Sequence, residues 1–132
     1  MKRLRLLRRV LGKKKKEYHV YVVGLKPSVL KVPKCQKQNP NFKSAPTKKC
    51  YYVGYTGETP EIRYNKHITG HKTKKGINIS SDVVNDHGYK KNGLRPKQYK
   101  KYNPFFVIGE AKEFEIQLAL KLRKKGHFVY QK

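Results

Sequence analysis

Residues 49–70 read KCYYVGYTGETPEIRYNKHITG, and the period of the pattern changes halfway along. The first half, CYYVGYT, is aromatic and β-branched. As a strand it puts Cys50, Tyr52 and Gly54 on one face and Tyr51, Val53 and Tyr55 on the other. The second half opens a helix: Thr59 can cap it, Pro60 suits the first helical position, and Glu61 favours the positive end of the helix dipole. Gly70 is the stop signal. Arg63 and His67 are then four residues apart and share a helical face.

Upstream, EYHVYVVGL (residues 17–25) has the composition of an earlier strand. Tyr18, Val20 and Val22 point one way; His19, Tyr21 and Val23 point the other. Residues 24–49 carry Pro27, Pro33, Pro40 and Pro46 and many lysines. They read as a long connection with one short element near residues 29–32. The two strands form an antiparallel pair whose register so long a loop does not fix. Downstream, the sequence predicts a short helix over 81–87, a turn at Gly88 and a basic irregular stretch. A long helix follows over 109–125, with Ala111, Phe114, Leu118 and Leu122 as its apolar stripe and Gly126 as terminator. HFVYQ is the closing strand. No internal repeat is found.

A chain of 132 residues accommodates one domain. Lys and Arg number 33 against 8 Asp and Glu, a formal charge of +25, and the natural partner of such a surface is a polyanion, nucleic acid above all. No apolar run approaches the ~20 residues that span a bilayer. Cys35 and Cys50 make no disulfide framework and no secretory pattern follows Met1, which indicates a reducing compartment, cytoplasmic or nucleoid-associated. Residues 1–17 form a basic leader with Leu4, Leu7 and Leu11 at helical spacing. It is a solvated tail or an amphipathic helix, and Lys13, Lys14, Lys15 and Lys16 are candidate phosphate contacts together with Lys66 and Lys72.

Phosphodiester hydrolysis needs a nucleophile made from water, a cation over the charge growing on phosphate, and help for the leaving oxygen. Tyr21 and Tyr52 lie on adjacent strands and can face one pocket. A phenol has a pKa of ~10, so Tyr21 serves as a base only if a cation lowers it, and the lysine-rich setting favours that shift. Arg63 can grip two phosphate oxygens at once. Glu115 is one of few acids and sits at the edge of an apolar stripe, where one carboxylate with phosphate oxygens and water would hold Mg²⁺. The helix dipole also accounts for Glu110, Glu113 and Glu115 in the first turns. His67 and His71 are four apart, but Cys35 and Cys50 are too widely spaced for a zinc knuckle.

These residues resemble the GIY-YIG nuclease family. HVYVV (residues 19–23) resembles its first motif and YVG (52–54) its second. TGETPEIRYNKH resembles the stretch with the family's arginine and histidine, and EAKEFEIQLALKLRKKGHFVYQ resembles its C-terminal helix. The order and spacing match over most of residues 18–131. The resemblance implies an α/β fold, a small sandwich with a central three-stranded, mostly antiparallel sheet flanked by helices. It makes residues 18–132 the nuclease domain, with an inserted loop at 24–49. It implies that Tyr21 is the general base or orients the attacking water, that Tyr52 contacts the scissile phosphate, and that Gly54 keeps the site uncrowded. Arg63 would stabilise the transition state, His67 would be an active-site histidine, and Glu115 would bind one Mg²⁺ or Mn²⁺, with Glu113 the second choice. His19 stands where the family has glycine, and Val20 and Val53 where it has isoleucine.

The implied activity is endonucleolytic cleavage of DNA, branched or damaged DNA included, with RNA open as a substrate and the oligomeric state open. Two other classes compete. A non-catalytic nucleic-acid-binding module, ribosome- or nucleoid-associated, would use the charge and stack bases on Tyr51, Tyr55 and Tyr89. A membrane-associated protein would use residues 1–16 as an interfacial helix.

Overall fold

The computed structural model describes residues 15–70 and 81–132. Lys13, Lys14, the leader leucines, His71 and Lys72 lie outside them. Within them the chain is mixed α/β, with three strands and four helices. Strand β1 is His19–Leu25. A 3₁₀ turn over Pro27–Lys31 and helix α1, Pro33–Lys37, follow. Then come β2, Cys50–Thr56, α2, Pro60–Thr69, α3, Asp82–His87, α4, Ile108–Lys124, and β3, Phe128–Tyr130. No helix among the described residues is long and apolar enough to cross a membrane.

The strands lie in the order β1-β2-β3. β1 and β2 are antiparallel with Tyr21 opposite Gly54 and Val23 opposite Tyr52; β2 and β3 are parallel with Tyr52 beside Tyr130. The expectation of a mostly antiparallel sheet therefore holds at one of two interfaces. β3 arrives through a long crossover that includes α4, and such a connection permits a parallel partner where a hairpin does not.

The alternation read from sequence sorts the side chains. Val20, Val22, Val53 and Val129 are fully buried on one face of the sheet, and Lys112 of α4 lies over the ring of Tyr55 on that side, 5.8 Å from its centroid. Tyr21, Tyr52 and Tyr130 occupy the other face, where α2 packs. Helix α4 buries Ala111, Leu118, Ala119 and Leu122, with Glu115 in the same stripe. Each such apolar side chain larger than alanine contributes ~1.5–3 kcal/mol on leaving water.

Both sheet edges are closed, largely by side-chain amides. Along β1, Gly24 N donates to Gly93 O (2.6 Å), Arg95 N to Val22 O (2.8 Å), and Tyr18 and Phe105 exchange backbone bonds of 2.7 Å. Between them the Asn103 amide pairs with both backbone groups of Val20, at 2.9 and 2.7 Å. Along β3, the Asn39 amide pairs with Val129 (2.8 and 2.9 Å) and the Gln38 amide with Gln131 (2.9 and 2.7 Å). Buried backbone groups need such partners, and closed edges resist pairing with other chains. The proline-rich connection and the basic stretch after Gly88 thus act as edge caps.

Candidate active site

Each element delivers its side chain for a local reason. Thr59 Oγ1 accepts from Ile62 N at 3.3 Å and starts α2; Gly70 ends it with φ 64°, a left-handed conformation that glycine adopts without steric cost. Between these caps the helix projects Arg63 and His67 toward the tyrosine face. Gly54 is required there by its close neighbours. A Cβ on it would lie 2.8 Å from both Cζ and Oη of Tyr21 and 3.0 Å from Cε1 of Tyr52, so only glycine lets the Tyr21 ring cross β2.

His67 is fully buried and bonded at both nitrogens. Its Nδ1 accepts from the Ser81 backbone N–H at 2.7 Å, and its Nε2 lies 2.7 Å from Tyr21 Oη. With Nδ1 an acceptor, the neutral ring carries its proton on Nε2 and donates it to the phenol. Burial, reinforced by the nearby Arg63 and Lys132 charges, drives the His67 pKa down to about 3. The ring is neutral at ordinary pH.

The Tyr21 phenol is 1% exposed and Tyr52 5%, with ring centroids 6.0 Å apart. Burial raises the Tyr21 pKa well above its ordinary value; the Tyr52 charge adds to this, and Arg63, by charge and hydrogen bond, only partly offsets it. The lysine-rich setting expected to ionise Tyr21 does not do so, because desolvation of a phenolate at this depth outweighs one guanidinium. Tyr21 keeps its proton. Burial also raises Tyr52, while hydrogen bonds from Tyr21 and the Ser81 hydroxyl lower it.

Glu115 is 8% exposed. Burial raises its pKa, opposed by a hydrogen bond from Gln131 and the charge of Lys112. Gln131 Nε2 donates to its Oε1 at 3.1 Å. The carboxylate belongs to a groove of ≈ 600 Å³ lined also by Tyr55, Lys112, Arg123, Gln131 and Lys132. It reaches Tyr52 through space, as a charge that raises the phenol. Tyr21, Tyr52, Arg63 and His67 thus form one hydrogen-bonded cluster, with Glu115 beside it rather than within it. Among the described residues no three His, Cys, Asp or Glu converge. Glu115 is the one carboxylate among the described residues that lines the groove, and one amide-oriented carboxylate suits a hard ion that completes its shell from phosphate and water.

The remaining candidates are scattered. Lys66 is paired with Glu58 at 2.6 Å, Lys15 lies over Phe106 and Lys16 over Tyr18. Glu113 is exposed and receives Gln117. Tyr51 is buried edge-on to His127 and offers no face to a base, contrary to the stacking role expected of it; Tyr89 keeps 38% exposure. His19 sits opposite Thr56, beyond the tyrosine cluster. Sequence reasoning missed Ser81, whose only signal was its position at the start of a predicted helix, and Gln131 and Lys132, which follow β3 into the groove. The chain matches no family model, no curated protein and no solved structure.

Proposed function

We propose that this chain is a divalent-metal-dependent endonuclease with a GIY-YIG-type site that hydrolyses DNA phosphodiester bonds. The observation that carries the reading is the meeting of Tyr21, Tyr52, Arg63 and His67, drawn from three elements, in one bonded cluster beside the carboxylate of Glu115. The +25 charge supplies the attraction for the substrate.

In this reading Arg63 faces the charge that builds on the phosphate oxygens. Its removal should cost ~10²–10³ in rate, the usual loss for one charge-stabilising donor. Tyr52, which interacts with Tyr21 and Ser81, contacts the scissile phosphate. Tyr21 stays neutral, held in place by His67, and positions Tyr52 rather than acting as the resting base. Glu115, oriented by Gln131, would hold one Mg²⁺ or Mn²⁺, which when bound lowers the pKa of water and neutralises phosphate charge.

A second reading has its own support: Tyr21 and His67 are sealed from solvent, as in a nucleic-acid-binding module that uses the cluster only to hold its sheet together. A cleavage screen over linear, branched and single-stranded DNA and RNA, with Mg²⁺, Mn²⁺ or chelator, separates the two. Metal-dependent cutting supports the enzyme; tight, salt-sensitive binding without cutting under any divalent ion supports the module.

A further inference from the structure

Arg123, near the end of α4, is a half-buried cation that the proposed chemistry does not use. Its Nη1 donates to Gln131 Oε1 at 3.3 Å; its Nη2 donates to Gln38 Oε1 and the Val129 carbonyl, both at 3.0 Å. None of these partners is charged, and Nε is buried with no acceptor. A guanidinium drawn out of water without a counter-anion is unfavourable, and desolvation already lowers its pKa.

The surroundings add to the imbalance. A hollow of ≈ 380 Å³ opens at the β3 edge, lined by Arg123 with Lys43, Lys48, Lys124 and His127, and no acid lines it. Lys48 Nζ is tied to the Lys125 carbonyl at 2.8 Å, whereas Lys43 and Lys124 are exposed. His127 Nδ1 takes the Lys49 N–H at 3.1 Å, so the neutral ring presents Nε2–H as a donor. Arg123 and Gln38 also line the groove that contains Glu115. The two concavities share these residues; the carboxylate lines the groove, and the hollow has cations and no acid.

We propose that the hollow lined by Lys43, Lys48, Arg123, Lys124 and His127 is a second phosphate seat, which holds a backbone phosphodiester of a nucleic-acid strand passing Glu115. A phosphodiester brings the negative charge that this cation-lined, acid-free hollow lacks, together with two acceptor oxygens. The inference rests on the nucleic-acid reading above but not on cleavage. The seat sets grip and strand direction, away from the tyrosine cluster.

The test is DNA affinity without divalent metal, measured for the full chain across a salt series with a short duplex. The hollow variant is Lys43→Glu with Lys124→Glu. The control is Lys91→Glu with Lys97→Glu, the same charge change on exposed residues beside the opposite, β1 edge. The hollow variant should bind about tenfold more weakly, with the slope of log affinity against log salt reduced by ~0.9 for each phosphate that is no longer neutralised. The control should weaken clearly less, and urea midpoints should match wild type. Equal losses of affinity in both variants would overturn the seat while leaving the nucleic-acid reading intact. Absence of duplex binding by wild type would remove the nucleic-acid reading itself.

Discussion

Acidification should weaken this fold through His67, by an amount that follows from its burial. An unfolded histidine titrates near 6.5, whereas the folded ring holds off its proton until about pH 3. Between these values the unfolded state binds more protons, so stability falls as pH falls. The contribution is intact above 6.5, declines by about 1.4 kcal/mol for each pH unit below it, and levels off near pH 3. At about pH 5 the loss is about 2 kcal/mol, a large fraction of a small domain's stability. Urea unfolding of wild type and His67→Gln at neutral pH and at about pH 5 isolates it, since the amide does not titrate and all other groups are shared. His127 is also pushed down by burial and its lysine neighbours, but equally in both proteins. Wild type should lose about 2 kcal/mol more than the variant, and ¹⁵N spectra should show Nε2 protonated at both pH values. Parallel losses in the two proteins, or a ring protonated on Nδ1, would refute the bonded, neutral histidine.

Three further outcomes rest on the packing and hydrogen bonds described above. Gly54→Ala should destabilise by ~1–3 kcal/mol through overpacking and abolish cleavage, because the new methyl displaces Tyr21; unchanged urea stability would show that the ring has room. Asn39→Ala should cost ~1–3 kcal/mol by leaving the Val129 N–H unpaired at the β3 edge, read by urea midpoint and by amide exchange at Val129; unchanged values would deny the edge cap. Glu115→Gln keeps shape and removes charge, so metal-dependent cleavage should vanish while DNA affinity measured without metal stays within a few-fold; undiminished cutting would remove Glu115 as the metal ligand.

Much of this architecture was legible in the sequence, and the illegible parts share a cause. Alternation allowed Tyr21 and Tyr52 a common face, which the register of β1 and β2 then provides; Thr59, Pro60 and Gly70 framed α2, and the stripe from Ala111 to Leu122 marked α4. These signals are local. The parallel pairing of β3 depends on where a crossover returns, and the roles of Gln38, Asn39 and Asn103 depend on which strand edge lies opposite them; neither is encoded nearby. At the candidate site, residue types and spacing brought Arg63 and His67 into one view, but not the ionisation of Tyr21. Burial depth decides that, and a lysine-rich composition misleads because no lysine among the described residues is buried. Ser81 and Arg123 were invisible for the same reason, as each acquires its role from distant partners.

The most direct test of the central proposal is the single-turnover rate of DNA cleavage with Mg²⁺, comparing wild type with Arg63→Ala on whichever substrate the screen selects. A folded variant whose rate falls by ~10²–10³, with DNA affinity changed only a few-fold, is the expected result. A variant that cuts as fast as wild type, or a wild type that cuts no substrate with any divalent ion, would contradict a catalytic role for this cluster.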